Sequence, residues 1–141
     1  DKAQIDMTIK TFFGYVNPDF IKIVIDKEGK VAGFAIAMPS LSSAMQRAGG
    51  KLFPFGFFHI LKAIRHNTVL DLYLIAVDPK YHDSGLNALM LNSIMKTAVD
   101  YGMTHAETGP MLESNLKVQS QWRFFEVRQH RRRRVFKKMF G

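Results

Sequence analysis

The sequence contains no cysteine, which excludes disulfides, zinc–thiolate centres and thiol nucleophiles. Such a chain is compatible with a reducing compartment, and the cytoplasm is its expected location. No apolar run approaches the ~20 residues of a membrane-spanning helix, and no secretory signal is visible. The five histidines (59, 66, 82, 105 and 130) show no paired ligand spacing with acids on one helix, so no metal site is expected. Acid is also in short supply: 12 Asp and Glu face 20 Lys and Arg, for a net charge of +8. That balance favours an anionic partner, which includes nucleic acid, anionic lipid and phosphorylated cofactors.

What is present describes a globular domain. Apolar residues make up 47% of the chain and charged residues 23%, a composition that builds a core rather than a disordered tail. At 141 residues the length fits a single domain, 1–141, able to bury about two-thirds of its unfolded surface. The chain enters a helical pattern almost at Asp1, with Ile5, Ile9, Phe12 and Phe13 at helical spacing. It therefore reads as part of a longer chain.

Residues 20–25 and 31–38 are β-branched, aromatic and small, and flank a turn at 26–30, which predicts a β-hairpin. Leu41, Ala44, Met45 and Ala48 mark a short helix ended by Gly49-Gly50. An aromatic loop, Leu52-Phe53-Pro54-Phe55-Gly56-Phe57-Phe58, leads into a second short helix with Ile60, Leu61 and Ile64. Residues 70–77 are apolar at both alternating positions except for Asp71, which predicts a central strand covered on both faces. A helix to about Asp100 follows, with Leu86, Leu89, Met90, Ile94 and Ala98 as its core stripe. A short strand at 104–108, a helix at 116–127 and a last strand at 131–138 complete the order. A hairpin combined with a strand–helix–strand crossover implies an α/β chain with a mixed sheet and helices on its faces.

The loop at 78–85 joins the central strand to that helix. The first N–H groups of a helix have no intrahelical partner, and the dipole is positive there. A pyrophosphate is held well at such a point. Gly85 permits close backbone approach, Ser84 offers a hydroxyl, and Lys80 and His82 add donors. The plain alternative is a connection capped by Asp83 or Ser84.

Val77-Asp78-Pro79-Lys80-Tyr81-His82-Asp83-Ser84-Gly85-Leu86-Asn87-Ala88 resembles the cofactor loop of the GNAT acyltransferase superfamily, the acyl-CoA N-acyltransferases. Val77, Pro79 and Gly85 match in place and spacing, and the order of elements over residues 20–138 is similar. The resemblance implies an acetyl-CoA or other acyl-CoA co-substrate. Ile75, Ala76 and Val77 would line its pantetheine, and His82, Asp83, Ser84, Gly85, Asn87 and Ala88 would surround its pyrophosphate. It implies direct acyl transfer to an amine on a small molecule or peptide. Asp71 occupies the position of an acidic base in some members, and Tyr73 is a second polar group expected on the same face. An ordinary solvated Asp is the alternative reading of Asp71, and a packed ring with its hydroxyl at the rim that of Tyr73. His82 departs from the family's Arg or Gln, and Asn87 from its second small residue. Phe124 and Phe125 stand where a tyrosine acid is frequent, and the first family strand is missing.

Two further features compete with this reading. Arg131-Arg132-Arg133-Arg134, with Arg123, Arg128, His130, Lys137 and Lys138, allows nucleic-acid binding. Period 2 would spread those arginines over both faces of a strand, which suits an edge better than one binding surface. The Phe-rich cluster at 53–58 is expected in the core, with a lid over the acceptor or a membrane-surface contact as alternatives. A GNAT-like module without activity remains the other function class.

Overall fold

The computed structural model describes residues 16–51 and 53–139. The predicted first helix, with Ile5, Ile9, Phe12 and Phe13, lies outside the described residues. The chain divides into two units, 1–108 and 109–141.

The first unit carries a four-stranded mixed sheet in the order β1-β2-β3-β4, from Ile21–Ile25, Val31–Pro39, Val69–Val77 and His105–Thr108. The predicted hairpin is present: β1 and β2 are antiparallel. Their turn is held by the Asp26 carboxylate, which accepts the amides of Glu28 and Lys30 at 2.9 Å each. β3 runs antiparallel to β2 and parallel to β4, as the crossover requires. Between β2 and β3 stand helices α1 (Ser42–Arg47) and α2 (Gly56–Arg65), which pack on each other.

Helix α3 (Leu86–Asp100) crosses from β3 to β4 and packs against β1, β2 and β3. Its buried stripe is Met90, Leu91, Ile94 and Ala98. Leu91 takes the place expected for Leu89, which is exposed. The stripe meets Phe20, Ala35, Ala37, Leu70 and Met103 to form the core. Contact is close at Gly33, where a Cβ would lie 3.0 Å from the Ala76 carbonyl and 3.2 Å from the Met90 methyl. The helix ends at Tyr101-Gly102 as expected. Gly102 takes a φ of 72°, and Met103 N–H returns to the Ala98 carbonyl at 2.9 Å.

Two expectations fail in the first unit. Strand β3 is central in the sheet, but only its first half is covered. Leu70 is fully buried, whereas Tyr73, Leu74 and Ile75 are exposed. The crossover helix α3 is the helix that packs against the sheet, and β4 pairs only with Val69, Leu70, Asp71 and Leu72, so the second half of β3 has neither cover on both faces nor a strand on its outer side among the described residues. The Phe cluster is not core either: Phe53, Phe55, Phe57 and Phe58 are all exposed. Helix α2 packs through Gly56, where a Cβ would fall 1.8 Å from the Lys51 carbonyl. Its closest approach is therefore made by the residue with no side chain, and the neighbouring rings face out.

The second unit is small. Asn115 caps α4 (Leu116–Ser120) by accepting the Val118 amide at 3.2 Å. The helix is shorter than the predicted 116–127. It tightens into a 3-10 turn at Gln121–Phe124, and Phe125 is already extended. Ser120 contributes to the change by donating its hydroxyl to the Lys117 carbonyl at 2.9 Å, a local bond that competes with helix geometry. The Trp122 and Phe125 rings meet at 5.9 Å. The predicted strand at 131–138 is absent: residues 126–139 have no regular structure. Four adjacent arginines repel one another, and Val135 and Phe136 are exposed, so no burial offsets the cost of ordering them.

Candidate functional site

Pairing of β3 with β4 stops at Leu72↔Thr108. From Tyr73 to Val77, β3 keeps β2 as its only strand neighbour among the described residues. A bulge lies where the two regimes meet. Ile36 faces Leu74 and Ala37 faces Leu72, so Tyr73 is an extra residue with no partner on β2. Bulges re-aim side chains and end pairing, and they concentrate near functional sites. Nothing in the apolar pattern of 70–77 signals it. The bulge also breaks the alternation between Asp71 and Tyr73, so counting by twos no longer assigns them to one face.

The bulge fixes which backbone groups face outward. Asp78 donates its N–H to the Ala32 carbonyl on β2 at 2.9 Å. Alternation from Asp78 directs Ala76 and Leu74 toward β2 as well. The peptide groups of Ile75 and Val77 then point to the edge that β4 leaves open. One of these acceptors is engaged: His82 Nε2 lies 3.0 Å from the Val77 carbonyl oxygen.

The loop beyond β3 is tightly held. Asp78 accepts the Lys80 amide at 2.8 Å and starts a 3-10 turn over Pro79–Tyr81. The Tyr81 hydroxyl donates to Asp26 Oδ2 at 2.9 Å, tying the loop to the hairpin turn. That bond and the two backbone amides hold the Asp26 pKa below its ordinary value, with the Lys30 amide first among the causes. Ser84 donates its hydroxyl to the Tyr81 carbonyl at 2.6 Å. It does not cap the helix.

The cap position is Gly85, with φ 79°, and no side-chain cap hydrogen bond is made there among the described residues. The plain reading of a helix capped by Asp83 or Ser84 is therefore not what the chain builds. A Cβ on Gly85 would meet nothing within 4 Å, so the glycine is required by its backbone angle and the space in front of it is open. Asn87 and Ala88 are exposed in that first turn. The half of β3 that β4 leaves open, the loop and the helix start with its open front follow one another in the chain. They suit an elongated ligand with an anionic group at one end.

Asp71 sits at the other end of the open edge, one pair before the β3–β4 ladder ends. It faces Glu107 across that ladder. Desolvation raises its pKa above the usual carboxylate value, Ser40 lowers it by a side-chain hydrogen bond, and the Glu107 charge raises it. The net direction for Asp71 is up. Its partner Ser40 is buried on the segment after β2. Neither Ser40 nor Glu107 stands out in the sequence, because each reaches Asp71 only through strand register.

Phe124 and Phe125 lie in the second unit and carry no hydroxyl. Among the described residues no three His, Asp or Glu side chains gather in a metal-binding arrangement, and no helix is long and apolar enough to cross a membrane.

No protein-family model matches the chain, and no curated protein matches it. Solved structures do. Aminoglycoside N-acetyltransferase AAC(6')-Iy in complex with CoA aligns over 97% of this chain and 90% of its own, with TM-score 0.54 and 14% identity. The aminoglycoside 6'-N-acetyltransferase AAC(6')-IG of Acinetobacter haemolyticus aligns over 100% and 83%, with TM-score 0.59 and 12% identity. Glucosamine-6-phosphate N-acetyltransferase of Arabidopsis thaliana aligns over 97% and 80%, with TM-score 0.56 and 11% identity. The chain has the GNAT acyl-CoA N-acyltransferase fold.

Proposed function

We propose that this chain is an N-acyltransferase that moves an acetyl or other acyl group from acyl-CoA to an amine. The observation that carries the reading is the half of β3 that β4 leaves open, running through Gly85 into a helix start with no side-chain cap among the described residues. Two solved structures of one protein of the same fold, AAC(6')-Iy, support it: one is a complex with CoA and the other holds a bisubstrate analogue, CoA-S-monomethyl-acetylneamine.

In this reading the pyrophosphate rests on the first-turn amides around Gly85, Asn87 and Ala88, with His82, Asp83 and Ser84 in the loop beside it. The outward peptide groups of Ile75 and Val77 bind the pantetheine. Ala76 spends its own backbone on β2 and contributes only its side chain. Bound acyl-CoA would supply a thioester carbonyl for attack by an amine nitrogen. Asp71 takes the proton from the incoming ammonium. Its desolvation suits the task, because a raised pKa strengthens a carboxylate as a base. Tyr73, on the bulge, is a second polar group at the same edge. The C–N bond forms, the C–S bond breaks, and the second proton of the attacking nitrogen passes to the departing sulfur, so that CoA leaves as the thiol toward the open edge. The acceptor is a small-molecule or peptide amine, the compartment is the cytoplasm, and residues 1–141 act as one acyltransferase domain.

A second reading is a GNAT-fold module without activity. It is favoured by His82, whose ring already occupies the Val77 carbonyl on the edge the pantetheine would use.

Titration calorimetry with acetyl-CoA separates the two. The acyltransferase reading expects saturable heat with CoA and acetyl-CoA alike, and release of thiol when amines are supplied. Absence of binding at millimolar cofactor, with the fold intact by circular dichroism, refutes it.

A further inference from the structure

The exposed rings around α2 are not used by the acyltransfer site, and what they do is a separate question. At 3.6 residues per turn, Gly56, Ile60, Ala63 and Ile64 share one side of α2. These are its buried and half-buried residues. The other side carries Phe57, Phe58, Leu61 and Arg65, all exposed, with Lys62 next to them. Phe58 is 61% exposed and Phe57 50%, and in the turn just before the helix Phe53 is 87% exposed and Phe55 71%. Four phenylalanines in water on one short segment cost far more than scattered surface residues do, and such a patch marks a binding surface.

The charge around it selects the partner. From Gly29 through Leu70 there is no Asp or Glu, while Lys30, Arg47, Lys51, Lys62 and Arg65 lie in that stretch. Arg47 ends α1, Lys62 and Arg65 lie in the last turn of α2, and Lys51 leads into it. An outward face of rings and leucine flanked by cations, with acid excluded, is the composition of a helix lying in the headgroup layer of an anionic bilayer. A protein partner would need a groove for four rings and a ring of acids. An anionic lipid surface supplies both conditions without specific shape. α2 has ten residues, far too few to span a bilayer, so it would lie on the surface.

We infer that the Phe53–Phe58 segment and α2 dock this protein onto anionic membranes, with the rings in the acyl–headgroup boundary and Lys51, Lys62 and Arg65 on the lipid phosphates. The inference does not depend on the acyltransfer reading.

The test uses the full chain with vesicles of phosphatidylcholine alone or phosphatidylcholine mixed with phosphatidylglycerol. The protein pellets with the mixed vesicles and not with the neutral ones. Exposed arginines at 131–134 would also be drawn to anionic vesicles, so charge alone does not decide. A Phe58→Trp reporter in a Trp122→Phe background reads insertion directly. Its emission shifts to the blue on the mixed vesicles and becomes shielded from aqueous quenchers. The pair Phe57→Ser and Phe58→Ser, which keeps the charge, lowers partitioning by roughly tenfold per ring. Lys62→Glu lowers it by more than the roughly fivefold expected for loss of one cation. Unchanged emission on the vesicles, or undiminished pelleting of the double serine variant, overturns the inference. So does a dimer in lipid-free solution that the double serine variant dissolves, because the rings would then serve a second copy of the chain.

Discussion

Gly85 offers the sharpest separation of structure from function. It takes φ 79° as the cap of α3, and a Cβ there would meet nothing within 4 Å. Gly102, at the opposite end of the same helix, takes φ 72° and is equally open. Alanine at either position incurs only the cost of a left-handed backbone, about 1–2 kcal/mol. No clash adds to it. For a chain of this size each kcal/mol lowers Tm by about 2–4 °C, so both variants should melt roughly 2–8 °C lower. Asn tolerates the left-handed region better than Ala, so Gly85→Asn should recover part of the loss. The functional prediction differs. Gly85→Ala shifts the amides that the proposal places on the pyrophosphate and adds a methyl before them, whereas Gly102 is a full helix away. Calorimetric titration with CoA should therefore show weaker binding by Gly85→Ala and unchanged binding by Gly102→Ala. Equal affinity in both variants, at equal loss of Tm, would refute the assignment of the cofactor to this loop.

Asp71 provides a pair of predictions with opposite signs. Removing a like charge with Glu107→Gln lowers the Asp71 pKa, so the acidic limb of a pH–rate profile for kcat/KM moves to lower pH. Ser40→Ala removes the hydrogen bond that favours the carboxylate, and the limb moves to higher pH. The same group affects stability. A carboxyl whose folded pKa is raised binds its proton more tightly in the folded state, so stability falls as pH rises from 3.8 through the folded value. Asp71→Asn should remove that slope in thermal melts while lowering the rate of transfer. A profile unmoved by either neighbour would exclude Asp71 as the base. Leu70→Ala, at a fully buried position between β2 and α3, should cost about 2–5 kcal/mol, measured by urea titration. A loss under 1 kcal/mol would mean that the core is not centred there.

The hairpin and the crossover were legible because each rests on local pattern: β-branched runs, a turn rich in Asp, Glu and Gly, and apolar residues at helical spacing over 86–100. The loop was legible for the same reason, since Pro79 and Gly85 each fix a backbone angle within the segment itself. Where the reading failed, the missing information was non-local. The apolar run at 70–77 looks like a strand buried throughout, but its exposure depends on which face α3 covers and on where β4 stops, thirty residues on. The bulge at Tyr73 depends on register with β2. The Phe cluster looked like core because rings usually are, yet Gly56 decided which side of α2 could approach its neighbour. The arginine-rich end carried the adjacent apolar residues Val135 and Phe136, with no strand to pair with among the described residues. Site residues divided the same way. Those in the loop follow from sequence position, whereas Ser40 and Glu107 reach Asp71 only through pairing.

The half-open strand lets one segment serve stability and, in the proposed reading, binding. Before the bulge, Leu70 is fixed by β2, β4 and the core, so Asp71 beside it is held on a rigid base. After the bulge, β3 keeps β2 as its only strand neighbour among the described residues, and the peptide groups of Ile75 and Val77 turn outward. An isolated edge of this kind would invite pairing with another chain. Here the His82 ring covers the Val77 carbonyl, and the loop is pinned to the hairpin by Tyr81 and Asp26. The edge is thus short, partly capped and anchored at its end, which leaves it selective for a ligand that presents donors and acceptors along a line. A ligand with an anionic end gains the α3 start as well. Under the proposed acyl-CoA reading, His82 would compete with the pantetheine for the Val77 carbonyl, and would set how tightly the cofactor is held rather than where it lies.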